Sequence, residues 1–437
     1  MSVQRRVFVL VCIAVAIAAA QPPAWLSHGS VGGAAAATAV AAQPADMWEE
    51  RVLATLPPGV DVKRNDLPFS LLVSPDARRV AYIARYDEGN LIQEAVVYND
   101  HRGPPASFIL HVVLSSDGSK VAYLASPREN VRAAYLIVGD RRDQVQFTEG
   151  ATDPHWVPVF SPDGRKLAYK VETATGKHAI KVADVSDVPG GVHPDTTYTP
   201  LSAEVGPEFT DVDGPQFSPD GSRVTYAAVE TGTWYIVVDG RRGPRFADAA
   251  TPVFSPDGQT VAYRATDDKR KYFAVSGEER GVSFDWVGRP SFSPDGRQLA
   301  YGALEGKRAW VLVGSDRRPA KHLAEEVVFS ADGSHTAYWT RQASGNCEFI
   351  VIDDEAGPKF DKVGIPTFDP AARVGAYWAR DGSRFLMVAG AMKSGKFDGV
   401  SRTRVFNSDG NLLGFAVLQG REVRWKVMRL QGTSTSE

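Results

Sequence analysis

The chain has 437 residues, of which 43% are hydrophobic and 10% are aromatic. This composition supports a folded core and excludes a disordered chain. The formal net charge is −3, with 49 basic and 52 acidic residues. Nucleic-acid-binding domains usually show a basic excess, so no nucleic-acid partner is expected.

The N-terminal segment has the layout of a secretory signal peptide. Arg5 and Arg6 precede an apolar run from Val7 to Ala20. This run is shorter than the roughly 20 residues that span a bilayer as a helix. We therefore expect a signal peptide over residues 1–20, with cleavage as late as residue 42 as one alternative and an uncleaved anchor as another.

The segment that follows is rich in Ala, Gly and Pro and nearly free of charge. Residues 21–46 are therefore predicted to be a flexible linker, and residues 47–437 the folded domain. No later stretch approaches membrane-spanning length. The mature chain is expected to be periplasmic or secreted, with no membrane span.

One phrase returns along the chain from residue 71 onward. It is a Ser-Pro-Asp-Gly type of turn, followed by a Val-Ala-Tyr type of segment. The steps between successive turn aspartates are 41, 46, 57, 37, 38 and 37 residues, and a period near 40 is typical of β-propeller blades. The longest step contains a polar insertion at 184–213, which we expect at the surface. The turn aspartates are Asp76, Asp117, Asp163, Asp220, Asp257, Asp295 and Asp332, with decayed copies at Phe368–Pro370 and Phe406–Gly410.

Each repeat is interpreted as four strands, A to D, of one blade. Ser-Pro-Asp-Gly joins strands A and B, because Pro presets φ, Asp bonds to the local backbone and Gly takes the left-handed conformation. Strand B, as in Val80–Ala84, is apolar on both faces, so neighbouring blades must cover both sides of each sheet. Strand C is a β-branched run, as in Tyr235–Val238. A second turn, such as Asp239–Gly243, leads to a short strand D, such as Arg245–Phe246.

Stacked blades are expected to close into a ring, because an isolated four-stranded blade is only marginally stable. Nine copies of strand A allow nine blades, but propellers with more than eight blades are unusual. We therefore predict an all-β, single β-propeller of eight four-stranded blades, with nine as the alternative. Gly59–Lys63 resembles a strand D and Glu422–Leu430 a final strand C, so the N- and C-terminal strands are expected to share one blade.

The Phe-Ser-Pro-Asp-Gly turn with its Val-Ala-Tyr segment, as at Phe254–Gly258 and Val261–Tyr263, resembles the WD-repeat-like propeller repeat of the TolB type. The same type of repeat occurs in the N-terminal propellers of prolyl-oligopeptidase-like enzymes. The resemblance covers roughly residues 60–430. It implies an exported protein with a binding or scaffolding role.

Catalytic motifs are missing from the sequence. It contains no Gly-x-Ser-x-Gly nucleophile elbow and leaves no room for a hydrolase domain after the repeats. The turn residues Asp163, Asp220, Asp257 and Asp295 are interpreted as structural, and the histidines show no metal-ligand spacing. We expect no catalytic residue, metal or cofactor. The alternative is a hydrolase or lyase for a glycan or small ester, whose carboxylates pair across the central channel.

Arginines recur in the predicted C–D turns, on the face that also carries the turn aspartates. Mutual ion pairing is the simpler interpretation, and an anion-binding rim is the alternative. Binding to a polyanion would weaken steeply with salt. The arginines are Arg102, Arg141, Arg142, Arg241, Arg242, Arg280, Arg317 and Arg318.

The opposite face is built from the D–A and B–C loops, and loops on a rigid scaffold often carry function. Trp and Arg are typical interface anchors, although packing under the loops is the simpler role for Trp156 and Trp286. The candidate residues are His155, Trp156, Asp211, Asp213, Trp286, Arg289 and Asn346. We expect a monomeric, non-catalytic binding or scaffold protein whose partner is a protein, a peptide or a cell-envelope polymer.

Overall fold

The computed structural model describes residues 48–62, 71–88, 91–126, 133–146, 156–194, 197–342 and 347–430. Within these residues the strands form nine mainly antiparallel sheets, each of which is one blade of an all-β propeller. The ring therefore has nine blades, which is the alternative count. The prediction of eight rested on the rarity of larger propellers. The predicted signal peptide and linker lie outside the described residues.

The blades share the strand order A-B-C-D. Strand A of blades 1 to 9 is Val60–Val62 with Leu71–Val73, Phe108–Leu114, Val159–Phe160, Asp211–Val212 with Gln216–Phe217, Asp248–Phe254, Trp286–Val287 with Ser291–Phe292, Val327–Phe329, Lys362–Val363 with Thr367–Phe368, and Gly399–Phe406. Strand B is Val80–Glu88, Val121–Ser126, Lys166–Glu172, Val224–Glu230, Val261–Thr266, Leu299–Glu305, Thr336–Arg341, Gly375–Asp381 and Leu412–Gln419.

The outer two strands of each blade follow in the same order. Strand C is Leu91–Tyr98, Ala133–Val138, His178–Asp184, Thr233–Val238, Tyr272–Ser276, Arg308–Val313, Glu348–Ile352, Arg384–Ala389 and Glu422–Arg429. Strand D is His101–Arg102, Arg141–Gln146, Glu204–Val205, Arg241–Arg242, Glu279–Arg280, Asp316–Ala320, Glu355–Ala356, Met392–Lys393 and Arg51–Thr55.

The strands A of neighbouring blades contact each other, which places them around the central axis and strand D on the outer wall. Side-chain hydroxyls link some of these inner strands. Ser291 Oγ of blade 6 donates to the Val327 carbonyl of blade 7, and Thr403 Oγ1 of blade 9 donates to the Val73 carbonyl of blade 1. The second of these bonds joins the last blade to the first.

Strand B explains why the blades stack. All six residues of Val121–Ser126 are buried, so both faces of the sheet are covered by neighbours, as the sequence predicts. The strand-B tyrosine also reaches the preceding blade, since the Tyr169 hydroxyl of blade 3 donates to Asp143 Oδ2 of blade 2 at 2.8 Å. Each fully buried apolar side chain contributes about 1.5–3 kcal/mol.

The Ser-Pro-Asp-Gly turns follow one another around the axis. In blade 5, Ser255 Oγ donates to Asp257 Oδ1 at 2.5 Å, and the Thr260 N–H donates to Ser255 Oγ at 2.9 Å. The hydrogen bond from Ser255 holds the pKa of Asp257 below its usual value. Gly258 has a φ of 70°, and a Cβ there would lie 3.4 Å from the Ser218 Cβ of blade 4. The turn aspartate is therefore occupied by local bonds, and the turn glycine packs against the preceding blade.

The chain ends share blade 9, as predicted. Arg51–Thr55 pairs antiparallel with Glu422–Arg429 as its outermost strand. The strand that completes blade 9 was predicted at Gly59–Lys63, and this assignment is wrong. Val60–Val62 pairs with strand B of blade 1 and begins strand A of that blade. Both strands are short and β-branched, so residue type alone does not separate them.

The insertion between blades 3 and 4 folds back onto blade 2. Thr199–Pro200 adds a parallel fifth strand to the outer edge of Arg141–Gln146, while Val188 and Leu201 are buried in the adjoining core. A surface excursion was expected, and the structure shows that it covers an outer strand. Covered edges are protected from pairing with other chains.

At two places in the ring, a buried carboxylate joins one blade to the next. Glu348 of blade 7 pairs with Arg341 of the same blade at 3.1 Å and accepts the Val363 N–H of blade 8 at 3.1 Å. Glu94 of blade 1 makes the equivalent contacts, at 3.0 Å to Arg85 and 2.7 Å to the N–H of the next blade. Only 4% of the Glu348 side chain is exposed. Loss of its negative charge would therefore leave the Arg341 guanidinium, which is itself largely buried, without its counter-ion.

We expect Glu348→Gln to lower the free energy of unfolding by about 2–3 kcal/mol, because it removes a buried ion pair. Urea titration followed by circular dichroism measures this change. Glu279→Gln, at an exposed position in strand D, is the control and should shift stability by less than about 0.5 kcal/mol. Equal midpoints for the two variants would contradict this role of Glu348.

Candidate binding site at the channel mouth

Strand A is interrupted near its middle in many of the described blades. In several blades a proline stands two residues before the turn phenylalanine, and proline has no N–H with which to continue the ladder. The residues between the paired parts of the strand are called here the strand-A break. The breaks are Leu110–His111, Asp213–Pro215, Thr251–Pro252, Gly288–Pro290, Gly364–Pro366 and Ser401–Thr403.

The break residues contact the neighbouring blade. In blade 6 the Arg289 N–H donates to the Glu325 carbonyl of blade 7 at 2.8 Å, and Arg289 Nε lies 3.8 Å from Glu326 Oε1. Gly288 permits this approach, because a Cβ there would lie 2.4 Å from the Glu325 carbonyl oxygen. Arg289 and Glu326 are half-buried although they stand at the innermost strand. This partial exposure is expected for side chains that line a central channel.

Strand A starts at the D–A loops and strand B ends at the B–C turns, so both meet at one end of the channel. We call the starts of strands A, their breaks and the ends of strands B the channel mouth. Its acidic sector spans blades 4 to 7 and also holds Arg264 and Arg289. Its basic sector spans blades 7 to 9 and also holds Asp381, with Glu348 beside it at the start of a strand C. The acids of the first sector are Asp211, Asp213, Glu230, Asp248, Glu305, Glu325 and Glu326. The cations of the second are Arg341, Lys362, Arg380 and Arg402, with Arg404 directly after the break.

Burial disfavours the charged form of several of these groups. Burial is the largest cause that raises the pKa of the Glu325 carboxyl to about 7, opposed by nearby Arg341. Burial also raises the pKa of Asp248, where the charge of Asp213 adds to the effect and Arg264 opposes it. On the basic side, burial lowers the pKa of the Lys362 ammonium. Such poorly solvated groups interact more strongly with a charged ligand than groups in bulk water do.

Trp156 and Asp211 contact the same two side chains where blades 3 and 4 adjoin. Lys170 Nζ lies 2.6 Å from Asp211 Oδ1 and 4.8 Å from the centre of the Trp156 ring. His178 Nδ1 lies 3.1 Å from the same carboxylate oxygen, and its ring packs edge-on against Trp156 at 5.7 Å. Trp156 is only 4% exposed and belongs to a buried apolar cluster, which favours the simpler interpretation of a packing role.

Sequence reasoning missed Lys170 and His178. The only signal for Lys170 was a charge directly after the tyrosine of a Val-Ala-Tyr segment, at a position that is apolar in most of the other copies. Of the other candidates, Asp213 and Arg289 lie in breaks, and Trp286 is half-buried at the start of a strand A. His155 and Asn346 lie outside the described residues.

The recurrent arginines lie in strand D on the outer wall, and not in the C–D turns as predicted. The turn is the two residues Asp239–Gly240 in blade 4, so strand D begins at Arg241. Phe246, which was assigned to strand D, lies along the same edge, since it pairs antiparallel with Trp234 of strand C through two hydrogen bonds of 3.0 Å.

Most arginines of the outer wall contact a ring or a carboxylate of the same chain. Arg280 lies 3.6 Å from the centre of the Phe273 ring and 3.0 Å from Asp267, whereas Arg241 is exposed. An anion-binding rim stays a prediction, and the channel mouth has more support. Contacts of the same kinds involve Arg102, Arg141, Arg142, Arg242, Arg317 and Arg318.

No family model and no curated protein matches this chain. Similar solved structures include the β-propeller domain of the Trilobed protease from Pyrococcus furiosus, with 11% identity and a TM-score of 0.40 over 66% of this chain and 94% of that chain. The Dos1 propeller shows 9% identity and a TM-score of 0.42 over 74% and 92%. TolB from Acinetobacter baumannii shows 16% identity and a TM-score of 0.32 over 72% and 78%. At these identities the likeness concerns the fold alone.

Two kinds of feature are absent from the described part of the chain. No helix there combines the length and the apolar character needed to cross a bilayer. No group of three or more His, Cys, Asp or Glu there has a geometry that could hold a metal ion.

The raised pKa of Glu325 makes stability depend on pH. The unfolded chain ionises this carboxyl near its ordinary value of 4.5, whereas the folded chain holds the proton until about pH 7. Its contribution to the free energy of unfolding therefore falls as pH rises from 4.5 to 7. We expect Glu325→Gln to be about 2 kcal/mol more stable than wild type at pH 8, after allowance for partial exposure, and much closer to it at pH 5. Urea titrations at the two pH values check this, and an equal difference at both would contradict it.

Proposed function

We propose that this protein is an exported, non-catalytic binding or scaffold propeller that recognises a protein, peptide or cell-envelope component through its channel mouth. The observation that carries the proposal is the gathering of poorly solvated charges of both signs at one end of the ring. At the other end, turn residues such as Ser255 and Asp257 are occupied by bonds to each other. The end that holds the D–A and B–C loops is therefore the one equipped to bind a partner.

A rigid ring suits this role. Binding residues that are already held in place lose little conformational freedom when a partner arrives, so more of the contact energy appears as affinity. Arg289 illustrates this, because its backbone and side chain both contact blade 7 before any ligand is present. The half-buried Trp286 next to this break adds an aromatic surface of the kind found at interface centres.

Export is part of the proposal and is supported by the sequence alone. Arg5 and Arg6, the apolar run and the small residues that follow match a secretory signal. The expected location is the periplasm or the outside of the cell. A ring without internal disulfides can persist there if stacking between blades supplies the stability.

One observation favours a second candidate, an enzyme that acts on a glycan or small ester in the channel. A carboxyl with a pKa of about 7, as in Glu325, is suited to act as a general acid at neutral pH. The neighbouring Glu326 would supply a second carboxylate. Activity toward glycans or esters that disappears in Glu325→Gln, with binding retained, would favour the enzyme over the scaffold.

The binding proposal is tested with the mature chain, residues 21–437, immobilised and exposed to a cell-envelope extract. We expect the double variant Trp286→Ala, Arg289→Ala to retain less than a tenth of the captured partner, because it removes both candidate anchors from one side of the mouth. Quantitative mass spectrometry of the captured material measures this.

The matched control is Arg241→Ala on the outer wall, which should capture as much partner as wild type. Circular dichroism confirms that both variants keep the β-propeller spectrum. Capture that is equal in the double variant and in wild type would overturn the assignment of the mouth as the binding surface.

A further inference from the structure

Two arginines stand in the innermost strand of blade 9. Arg402 belongs to the break Ser401–Thr403, which is one residue longer than the breaks of blades 2 and 5, and Arg404 follows it directly. Both residues are half-buried. Burial lowers the pKa of Arg402 to about 9 and that of Arg404 to about 10, and the like charge of Arg404 adds to the shift of Arg402. Protein thus crowds both guanidinium groups, which belong to the innermost strand of the blade.

Arg404 is bonded to backbone only. Its Nη1 donates to the Arg402 carbonyl at 3.3 Å and its Nη2 donates to the Ile365 carbonyl of blade 8. Its Nε is buried and has no hydrogen-bond partner among the described residues. No carboxylate of these residues forms a hydrogen bond or ion pair with Arg404. A guanidinium keeps its charge at neutral pH, so no described carboxylate balances this charge at close range.

A link between blades does not require a charge at this position. Ser291 makes the same kind of link to a carbonyl of the next blade with a neutral hydroxyl, and so does Thr403 beside Arg404. A hydroxyl avoids the cost of several kcal/mol that accompanies a poorly solvated ion without a counter-ion. The link between blades 8 and 9 therefore does not account for a positive charge at Arg404.

We propose that Arg402 and Arg404 form a site for an oxyanion group, a carboxylate or a phosphate, that enters the channel from its mouth. Arginine presents a planar set of N–H donors that matches such groups and strengthens the bond with its charge. Lys362 and Arg380 of blade 8 extend the positive field toward the mouth. The inference rests on the proposed binding function and names the chemistry of the group that is recognised.

The test is thermal unfolding of the mature chain in inorganic phosphate, in acetate and in chloride at equal ionic strength and pH 7. Phosphate or acetate should raise the Tm above its value in chloride by about 2–4 °C once the anion is at about fifty times its dissociation constant. Arg404→Gln should lose at least two thirds of this shift. The exposed Arg241→Gln should keep all of it. A response to phosphate, to acetate or to both that Arg404→Gln loses supports the site and identifies the preferred anion, whereas the general stabilisation by phosphate persists in the variant.

A second variant keeps the test decisive if Arg404→Gln does not fold. Arg402→Gln removes the other guanidinium of the proposed site and keeps both backbone carbonyls that accept from Arg404. It should lose at least half of the response to added anions. No response in wild type, or the same response in Arg404→Gln or Arg402→Gln, overturns the proposal. These measurements need no partner, so their outcome is independent of capture by Trp286 and Arg289.

Discussion

The apolar contact between successive sheets is the constraint on which the whole ring depends. Strand B of blade 2, Val121–Ser126, is buried on both faces, so a blade with only one neighbour would expose an apolar face to water. No blade is complete alone, and a linear stack would leave two such faces at its ends. Closure removes both, and it is why Arg51–Thr55 crosses to the last blade to pair with Glu422–Arg429.

Strand A can depart from regular pairing because it contributes little to the stacking of blades. Stacking is carried mainly by strands B and C, whose residues make up much of each core cluster. A proline such as Pro290 can therefore interrupt strand A without the loss of blade packing, and Arg289 beside it can turn toward the next blade. The residues with the greatest freedom to carry function are thus those nearest the axis.

The repeat architecture could be predicted because each blade is specified locally. The turn serine and aspartate bond to one another within a few residues, so the motif is readable without knowledge of distant contacts. The start of strand D was also readable but was placed too late in the sequence. Asp239 and Gly240 both have positive φ, at 49° and 74°, which is the two-residue hairpin turn that an Asp-Gly pair favours. That signal places strand D at Arg241 and the arginines on the outer wall.

The channel mouth was only partly predictable. The recurrent proline two residues before the turn phenylalanine, as at Pro252 and Pro290, could have located the breaks. The partners in other blades could not be predicted, because Asp213 approaches Asp248 and Arg264 approaches Glu325 only once the ring has its final register and radius. Neither is a property of one repeat.

The buried charges at the channel mouth are the main support for the proposed binding function. A channel of this kind could be filled with apolar side chains, and replacement of buried ions by well-packed apolar groups often stabilises a protein. The ring instead holds Glu325 and Lys362 where burial works against their charges, and it holds Arg404 with only backbone oxygens for partners. Stacking of nine blades does not require these groups. Opposite charges of a ligand would lower their cost to folding, which is the reason for their presence that we propose.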